Sequence, residues 1–435
     1  MSSELGHGTQ QTGNRMSMAG PLEGIRVLEF GSFVAGPWGG QLLSDMGADV
    51  IKIEPPKGDP WRHASSFAKN ESRVFVPLNR GVRSICLDLK LKSAQIALRK
   101  LIESSDGIIS NNRLDTAVKL GIDYASVSKI NPRLVYVDIT AYGSKGHMAD
   151  MPGFDLIVQG YTGAVASEGK ITKNGQPEVV WSSSYIDFST GYAAANGILA
   201  GIIGRGKTGK GQLVSTSLLA NAIAMQSLRI ADVEGIPAPA KTWFLQTRPG
   251  LIEQGASYEE IQDSYQMAVR PLIYRCYYRA YKTLDGGLAL GTLAVHARAR
   301  LLDIFGFKDP RVTDPSYDDT TAEAIRIGHE LVAKFEDIFA SKSTDQWFKE
   351  LRSHDIPCEP IRFIEEMVDD EQVLANDYVI EVDHHTGHKI RTSGPILTFD
   401  DGMPELKSSP ALGEHMGEIL RDLGLSSDEI AELDA

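Results

Sequence analysis

The first third of the chain alternates between strand-like and helix-like segments, and this alternation constrains the fold more than any other feature. Residues 25–30 form a β-rich run, a glycine-containing turn follows at 31–37, and a helical stretch precedes a second run at 49–54. Further strand patterns lie at 84–89, 107–111 and 134–139, separated by helical patterns at 93–104 and 114–120. Strands that alternate with helices pair in parallel. We therefore expect an α/β fold with a Rossmann-like, doubly wound sheet that gathers ligands at the carboxyl ends of its strands.

The remainder of the chain follows a different pattern. A small-residue helix is predicted at 191–203, a strand at 213–218 and a hairpin at 274–290. Residues 237–251 are rich in Pro, Thr and Gly, which is typical of a crossing between domains. Because 435 residues exceed the size at which single cores stop growing, we expect two domains.

Composition narrows the function classes. The net charge is −13 and no basic tract occurs, so nucleic acid is not an expected partner. The longest apolar stretch, 192–203, is too short to cross a bilayer, so we expect a protein that is not bound to a membrane. Residues 1–20 are polar and lack the apolar core of a signal peptide, which predicts a disordered tail. Cys86, Cys276 and Cys358 have no paired spacing, which favours a reducing cytoplasm over a disulfide framework.

Two glycine patterns resemble nucleotide motifs without meeting their requirements. Residues 204–211 have the glycine–lysine spacing of a phosphate loop, but Gly211 stands where Ser or Thr is required, and the segment follows a helix. The glycines of the turn at 31–39 do not have the spacing of a dinucleotide fingerprint. We interpret the first segment as a basic turn and expect no NAD.

Two other catalytic or metal patterns are also incomplete. His384, His385 and His388 lie in a polar, hairpin-like segment without a matching carboxylate pattern, so solvated histidines are expected and no metal is predicted. No Gly-x-Ser-x-Gly surrounds a candidate serine, which disfavours a hydrolase with that nucleophile elbow.

Several stretches of the chain occur together in one known family. Four segments resemble signature segments of the family III CoA-transferases: 27–37 (Val-Leu-Glu-Phe-Gly-Ser-Phe-Val-Ala-Gly-Pro), 43–54, 151–160 (which contain Pro-Gly-Phe-Asp) and 412–425. Two shorter segments, 83–90 and 208–212, also match. This group includes formyl-CoA and carnitine enzymes. The resemblance covers residues 21–435 and weakens from about 225 to 345, where substrate choice is expected to reside.

The resemblance implies that Asp155, the aspartate of Pro-Gly-Phe-Asp, is the nucleophile. Pro152 and Gly153 interrupt the preceding segment and Phe154 begins a helical pattern, so Asp155 is expected in the first turn of a helix. Spacing alone favours a helix-capping carboxylate over a catalytic one, and the family resemblance reverses that preference. By the implied mechanism, Asp155 attacks an acyl-CoA thioester to form a mixed anhydride, and CoA reaches an acceptor carboxylate through an enzyme–CoA thioester.

The resemblance also implies a set of CoA contacts. Backbone groups of the turn after the first strand, the ends of neighbouring strands and a few basic residues are expected to hold CoA. The candidates are Phe33, Val34, Ala35, Arg83, Leu87, Lys90, Asn111 and Lys119. Their basic members are suited to the CoA phosphates. Pro55 stands where formyl-CoA enzymes carry a basic residue, and the glycine tetrad of that branch is absent, so a formyl-CoA transferase is not predicted.

Two alternatives stay open at this point. The 2-methylacyl-CoA racemases share the fold and resemble the chain around Asp155 and Asp187, but they carry a histidine where this chain has Phe154, which cannot move a proton. The other alternative is a catalytically silent CoA-binding protein, which the retained Asp155 and turn motif disfavour. We therefore expect a CoA-transferase that acts on an acyl-CoA and a small carboxylic acid, with coenzyme A as a substrate and no prosthetic group.

The family consists of interlocked homodimers, so the resemblance implies a homodimer with that topology. A large CoA-binding domain is then expected to combine residues 21–228 with a return segment at 355–435, and residues 229–354 are expected to form a smaller α+β domain. Five aromatic residues are candidates for lining an acyl pocket, although core packing is the commoner role for each: Trp181, Trp243, Phe244, Tyr274 and Tyr278.

Overall fold

The computed structural model of the protein describes residues 20–236, 238–269, 276–318, 321–400 and 402–434. Nearly all of the predicted tail at 1–20, as well as Tyr274, lies outside the described residues. The described residues divide into a large unit, drawn from those up to 170, 178–230 and those from 371 onward, and a small unit, drawn from 171–177 and 231–370. The predicted domain boundaries stay predictions, because compactness alone does not show independent folding.

The strands and helices are numbered in chain order. The strands are β1 Arg26–Phe30, β2 Asp49–Glu54, β3 Ser66–Ala68, β4 Glu71–Ser72, β5 Arg83–Cys86, β6 Gly107–Ser110, β7 Val135–Thr140, β8 Gln212–Ser217, β9 Tyr278–Lys282, β10 Gly287–Gly291, β11 Cys358–Pro360, β12 Val379–Asp383 and β13 Lys389–Ser393. The α-helices are α1 Ala35–Asp45, α2 Lys92–Glu103, α3 Leu114–Leu120, α4 Tyr124–Ile130, α5 Asp155–Tyr161, α6 Ala164–Glu168, α7 Tyr185–Thr208, α8 Leu218–Met225, α9 Ser227–Ile230, α10 Pro239–Thr242, α11 Arg248–Glu253, α12 Tyr258–Val269, α13 Val295–Phe305, α14 Pro310–Thr313, α15 Ala322–Phe339, α16 Thr344–Ser353, α17 Glu371–Ala375, α18 Met416–Asp422 and α19 Ser427–Asp434. Short 3-10 segments lie at Pro60–His63, Val76–Leu78 and Ile364–Asp369, and a π-helical segment lies at Trp243–Thr247.

Six strands of the large unit pair in parallel in the order β5-β2-β1-β6-β7-β8. Successive strand residues point to opposite faces, so Val27 enters the core shared with α1 and α7 while Leu28 enters the core shared with α2 and α18. Helices thus cover both faces of the sheet, which confirms the predicted α/β fold. The strand order reverses between β1 and β6, and a ligand crevice is expected at the carboxyl ends of those two strands.

Helices α1 and α7 approach each other closely because small residues lie between them. A Cβ atom added to Gly191 of α7 would lie 2.7 Å from Trp38 Cδ1 and 2.9 Å from the carbonyl oxygen of Ala35. Glycine is therefore the residue that fits at this position. The contact holds the first half of α7 beside the first turn of α1, which begins directly after the turn at the end of β1.

The small unit contains a three-stranded antiparallel sheet in the order β11-β10-β9. Its β9–β10 pair confirms the predicted hairpin over the described residues. The core of this unit is aromatic, and Tyr281 stacks on Phe339 with ring centroids 4.4 Å apart. Across both units, no described helix combines the length and apolar character needed to span a membrane.

The return segment of the large unit carries the β12–β13 hairpin, whose loop contains the three histidines noted in the sequence. Solvated side chains are predicted there, and for His384 that prediction is wrong. His384 is only 5% exposed and faces Glu71 of β4. The carboxylate comes from a distant part of the chain, so local spacing did not reveal it.

Candidate active site

The turn after β1 lies where the strand order reverses, and Asn111 holds its backbone. Asn111 Oδ1 accepts a hydrogen bond from the Ser32 amide at 3.1 Å, and Asn111 Nδ2 donates to the Ser32 carbonyl at 2.8 Å. Phe33 adopts a φ of +68°, in the left-handed region that side chains other than glycine rarely occupy. Helix α1 then begins at Ala35 without a side-chain cap. Amide groups at the start of α1 can therefore bind an electron-rich ligand oxygen.

A buried ion pair supports this turn from the adjacent strand. Lys52 of β2 donates to Glu29 Oε2 at 2.8 Å and to the Gly31 carbonyl at 3.1 Å, and it lies 3.2 Å from Asp59. Burial opposes the charge on Lys52, but Glu29 and Asp59 outweigh it and raise the pKa of the lysine. Sequence analysis did not identify this pair. The sequence did contain a signal for it, because the apolar strands β1 and β2 each carry one charged residue in their interior. These residues, Glu29 and Lys52, lie opposite each other where the strands pair.

A cavity of about 510 Å³ opens beside the turn, within the large unit. Its walls come from the turn, the segment after β6, the end of β7, the segment before α5 and the start of α7. The residues used below are Phe33, Val34, Ala35, Asn111, Asp138, Phe154 and Asp187. Among the described acyl-pocket candidates, Trp181, Trp243, Phe244 and Tyr278 do not line this cavity. Its volume is in the range of small-ligand sites.

Asp155 is the first residue of α5 and is only 6% exposed, which confirms its predicted place at a helix start. Its Oδ2 atom accepts hydrogen bonds from the amides of Ile186 at 2.8 Å and Asp187 at 3.1 Å, both at the start of α7. Its Oδ1 atom accepts from Gln159 Nε2 at 2.6 Å. The carboxylate therefore meets the positive ends of two helices, which stabilises its charge and fixes its direction. Gln159 was missed in the sequence, although the four-residue spacing from Asp155 puts both on one helix face.

Two carboxyl groups line the cavity, those of Asp138 and Asp187, whereas Asp155 lies next to the lining residue Phe154 and is not itself part of the lining. Burial, and then the like charge of Asp155, raise the pKa of Asp187 to about 7. Burial alone raises the pKa of Asp138, on β7. Near neutral pH, Asp187 therefore exists partly as a neutral acid that can donate a hydrogen bond.

An aromatic contact joins the turn to the Asp155 segment. The ring of Phe154 meets the ring of Phe33 edge to face, with centroids 5.6 Å apart. Phe33 makes a similar contact with Trp61 at 6.2 Å. Phe154 remains 57% exposed and lines the cavity, so an apolar wall stands directly before Asp155.

The profile described as CoA-transferase family III matches residues 22–416. The chain belongs to CoA-transferase family III. Succinate–glutarate CoA-transferase from Agrobacterium fabrum is 31% identical over 419 residues, covering 93% of this chain and 96% of that protein. Cinnamoyl-CoA:phenyllactate CoA-transferase from Clostridium sporogenes is 28% identical, with 95% and 96% covered. The crystal structure of a CAIB/BAIF family protein from Brucella suis matches with a TM-score of 0.71 at 26% identity, covering 93% of this chain and 100% of that one.

Family membership confirms the resemblance noted in the sequence and identifies the protein as an enzyme. It is a CoA-transferase that moves CoA between an acyl-CoA and a carboxylate. The cavity, the β1 turn and Asp155 are thus parts of a family III CoA-transferase.

The structure brings together some of the predicted CoA contacts of this CoA-transferase. Phe33, Val34, Ala35 and Asn111 line the cavity. Three other candidates follow β5 or β6, strands whose carboxyl ends lie on the same side of the sheet as the β1 turn. Leu87 comes directly after β5 and is buried in the core, and Lys90, three residues further on, is exposed. Lys119 is exposed on α3, which follows β6, and its Nζ lies 3.6 Å from Asp115. The two lysines are free enough of the core to move toward a phosphate.

Arg83 lies at the amino ends of the strands, opposite to the ends from which the β1 turn and Asn111 follow. It is the first residue of β5, whereas the β1 turn and Asn111 follow the carboxyl ends of their strands. Its guanidinium donates to Asp49 at 2.8 Å and to Glu418 at 3.1 Å. This position and these carboxylate partners do not support the predicted phosphate contact, which stays a prediction.

Proposed function

We propose that Asp155 is the nucleophile through which this CoA-transferase moves CoA from an acyl-CoA to a carboxylate. The observation that carries the proposal is the setting of the carboxylate, which is buried at the start of α5 and receives two amide hydrogen bonds from the start of α7. Its neighbours Phe154 and Asp187 line the cavity. A nucleophile held in one orientation beside its substrate site gains much of its rate from positioning.

The first half of the reaction transfers CoA to the enzyme. A carboxylate oxygen of Asp155 attacks the thioester carbonyl, the carbon–sulfur bond breaks, and CoA leaves as a thiolate from an aspartyl–acyl anhydride. The thiolate then attacks the Asp155 carbonyl of that anhydride. The donor acid leaves as a carboxylate, and Asp155 is now joined to CoA as a thioester.

The second half reverses these steps with the acceptor acid. The acceptor carboxylate attacks the Asp155–CoA thioester and releases the thiolate, which then attacks the acceptor carbonyl of the new anhydride. The product acyl-CoA leaves and Asp155 returns as a carboxylate. No step consumes water, so the apolar wall formed by Phe154 and Phe33 favours transfer over hydrolysis.

The amides of Ile186 and Asp187 have a second use in this scheme. Each attack on the Asp155 carbonyl places negative charge on one of its oxygens. Because both amides already point at Oδ2, they can stabilise that charge without rearrangement. The amides at the start of α1 are suited to the corresponding oxygen of the substrate thioester.

We further propose that Phe33, Val34, Ala35, Leu87, Lys90, Asn111 and Lys119 contact CoA and that the acceptor is a small carboxylic acid. The relatives named above act on succinate and glutarate or on phenyllactate, which are acids of this kind. The protein is proposed to need no prosthetic group and to work as an interlocked homodimer in the cytoplasm.

Covalent trapping tests the proposal. The enzyme is mixed with a panel of acyl-CoAs, quenched in acid and analysed by intact and peptide mass spectrometry. We expect an acyl or CoA adduct on the peptide that contains Asp155, absent in Asp155→Asn and retained in Asp187→Asn. Turnover in the Asp155→Asn variant equal to the wild type would rule out this nucleophile.

The same experiment addresses the two alternatives. The raised pKa of Asp187 favours a proton-transfer role, which a racemase would need. Exchange of solvent deuterium into the acyl α-position without any adduct would indicate racemisation. Tight CoA binding with neither adduct nor exchange would indicate a silent binding protein.

A further inference from the structure

Three side chains from distant parts of the sequence converge at a point in the large unit that the proposed reaction does not use. Glu71 lies on β4, while His384 and His385 lie in the β12–β13 loop. One potential ligand atom from each lies within 4.8 Å of the others. Glu71 and His384 are buried, whereas the His385 side chain is 29% exposed.

The separations within this cluster are longer than those of good ionic hydrogen bonds. His384 Nε2 lies 3.6 Å from Glu71 Oε2, and His385 Nε2 lies 3.4 Å from Glu71 Oε1. Charge-assisted N–H···O bonds measure about 2.7–2.9 Å. By contrast, ligands about 2.0–2.1 Å from a tetrahedral Zn²⁺ stand roughly 3.3–3.4 Å apart. The two distances end on different oxygens of Glu71 and are close to this separation, and one ligand atom from each of the three residues lies within 4.8 Å of the others, so one ion can be reached by all three.

One carboxylate oxygen of Glu71 is buried without a hydrogen bond in the described part of the chain. Oε2 is buried and has no hydrogen-bond partner among the described residues, whereas Oε1 accepts from Arg62 Nη1 at 3.1 Å. An unpartnered buried carboxylate oxygen is costly, and a bound cation would supply its partner. The charge of Arg62 is already matched by Glu54, which it contacts at 2.7 and 2.8 Å.

The ring of His384 is oriented by its second nitrogen. His384 Nδ1 lies 2.7 Å from the hydroxyl of Thr386 and accepts a longer hydrogen bond from the Thr386 amide at 3.4 Å, and these contacts leave Nε2 directed toward Glu71. The Ser409 hydroxyl lies 3.5 Å from the same Nε2. In the tautomer with the proton on Nδ1, His384 instead donates to the Thr386 hydroxyl and its Nε2 can bind a metal, as histidine ligands held through the other ring nitrogen do.

We propose that Glu71, His384 and His385 bind one divalent cation of the zinc class, with water as the fourth ligand. Two imidazole nitrogens and one carboxylate oxygen form a donor set that zinc and its neighbours in the transition series prefer. The ion would tie the return segment to the β3–β4 region of the same unit. Its role is structural, since the ligands come from segments outside the cavity described above.

The test uses the full-length protein freed of metal by dialysis against a chelator and titrated with Co²⁺ or Zn²⁺. We expect one equivalent of Co²⁺ to give the visible absorption of a four-coordinate site, and Zn²⁺ to displace it and raise Tm. His385→Ala should lose both responses. His296→Ala, which removes an exposed histidine of α13, should retain both.

Two results would overturn the site. Wild-type protein without the four-coordinate Co²⁺ spectrum, or His385→Ala with an unchanged spectrum, would leave the cluster as an imidazole–carboxylate contact. If His385→Ala does not fold, His385→Cys serves instead, because a thiolate restores a zinc ligand and shifts the Co²⁺ spectrum by adding sulfur-to-metal charge transfer. A Cys variant whose spectrum lacks that band also excludes the site.

Discussion

Asp187 changes charge under ordinary assay conditions, because burial and the neighbouring Asp155 raise its pKa to about 7. Below that pH it is neutral, and above it a second negative charge faces the cavity. That charge repels both the CoA thiolate and the acceptor carboxylate, so we expect kcat to fall as pH rises through about 7. In Asp187→Asn this inflection should disappear. Steady-state rates on both sides of neutrality, with saturating substrates, check the expectation.

The pH dependence of stability provides an independent test of the raised pKa of Asp187. A raised carboxyl pKa means that the folded state binds the proton more tightly than the unfolded state, so stability declines as pH rises from the ordinary carboxyl pKa of 3.8 to about 7. Urea unfolding should show a smaller loss over this range in Asp187→Asn than in the wild type. Identical losses in the two proteins would show that Asp187 does not titrate as described.

Gln159 positions Asp155 rather than reacting itself. Its Nε2 donates to Asp155 Oδ1, and its Oε1 accepts from the Val180 amide at 3.0 Å. We expect Gln159→Leu to lower kcat about 10–100-fold, since a nucleophile that loses its orientation loses much of its positioning advantage. The adduct on Asp155 should still form, only more slowly, in rapid-quench mass spectrometry. An unchanged rate of adduct formation would exclude this positioning role.

A buried contact between Glu29 of β1 and Lys52 of β2 joins the two strands. Lys52→Met leaves Glu29 and Asp59 without their cation, so we expect the free energy of unfolding to fall by about 3–5 kcal/mol. Lys57→Met removes an exposed lysine nearby and should have little effect. In the double variant Lys52→Met, Glu29→Gln the loss should be smaller, because fewer charges remain unpaired. Urea unfolding of the three variants measures these differences, and equal stability of Lys52→Met and Lys57→Met would contradict the argument.

Sequence periodicity predicted the elements of the sheet but not the contacts between them. The strands near 25–30 and 49–54 and the helix start at Asp155 were predictable, because each depends on residues close together in the chain. The contacts that were not predicted join segments distant in the chain. They are the hydrogen bonds between Asn111 and Ser32, the hydrogen bond from the Ile186 amide to Asp155, and the contact of the buried His384 with Glu71. Arg83 is a different case: its motif suggested a CoA contact, although the predicted strand at 84–89 already placed it at the amino end of that strand.

The family resemblance indicated the function of the whole molecule, which the periodicity of the sequence could not do. Spacing alone left Asp155 as a helix cap or a nucleophile, and family membership shows that the chain is a CoA-transferase. The described acyl-pocket candidates lie outside the cavity lining, and the aromatic residues that do line it, Phe33 and Phe154, belong to the β1 turn and the Asp155 segment.

The proposed dimer explains an apolar surface on the large unit. Ile223 and Met225 of α8 and Leu228 and Ile230 of α9 are 41%, 54%, 99% and 50% exposed in the single chain. Exposed apolar side chains on two successive helices are typical of a surface covered by another protein, and the proposed partner is a second copy of the chain. In a monomer, Leu228→Asp would be neutral or favourable, because the side chain touches water.

In a homodimer that buries Leu228, the same change places a charge in an apolar interface. We therefore expect the wild type to remain dimeric on dilution and Leu228→Asp to dissociate or to lower Tm, in light scattering coupled to size exclusion and in thermal unfolding. Ile96→Asp changes a 54% exposed residue of α2 and should leave the assembly intact. Because interlocked chains separate only by unfolding, tagged and untagged wild-type dimers should not exchange subunits when mixed. Rapid exchange would mean that the dimer is not interlocked, and a monomeric wild type would remove the dimer from the proposal.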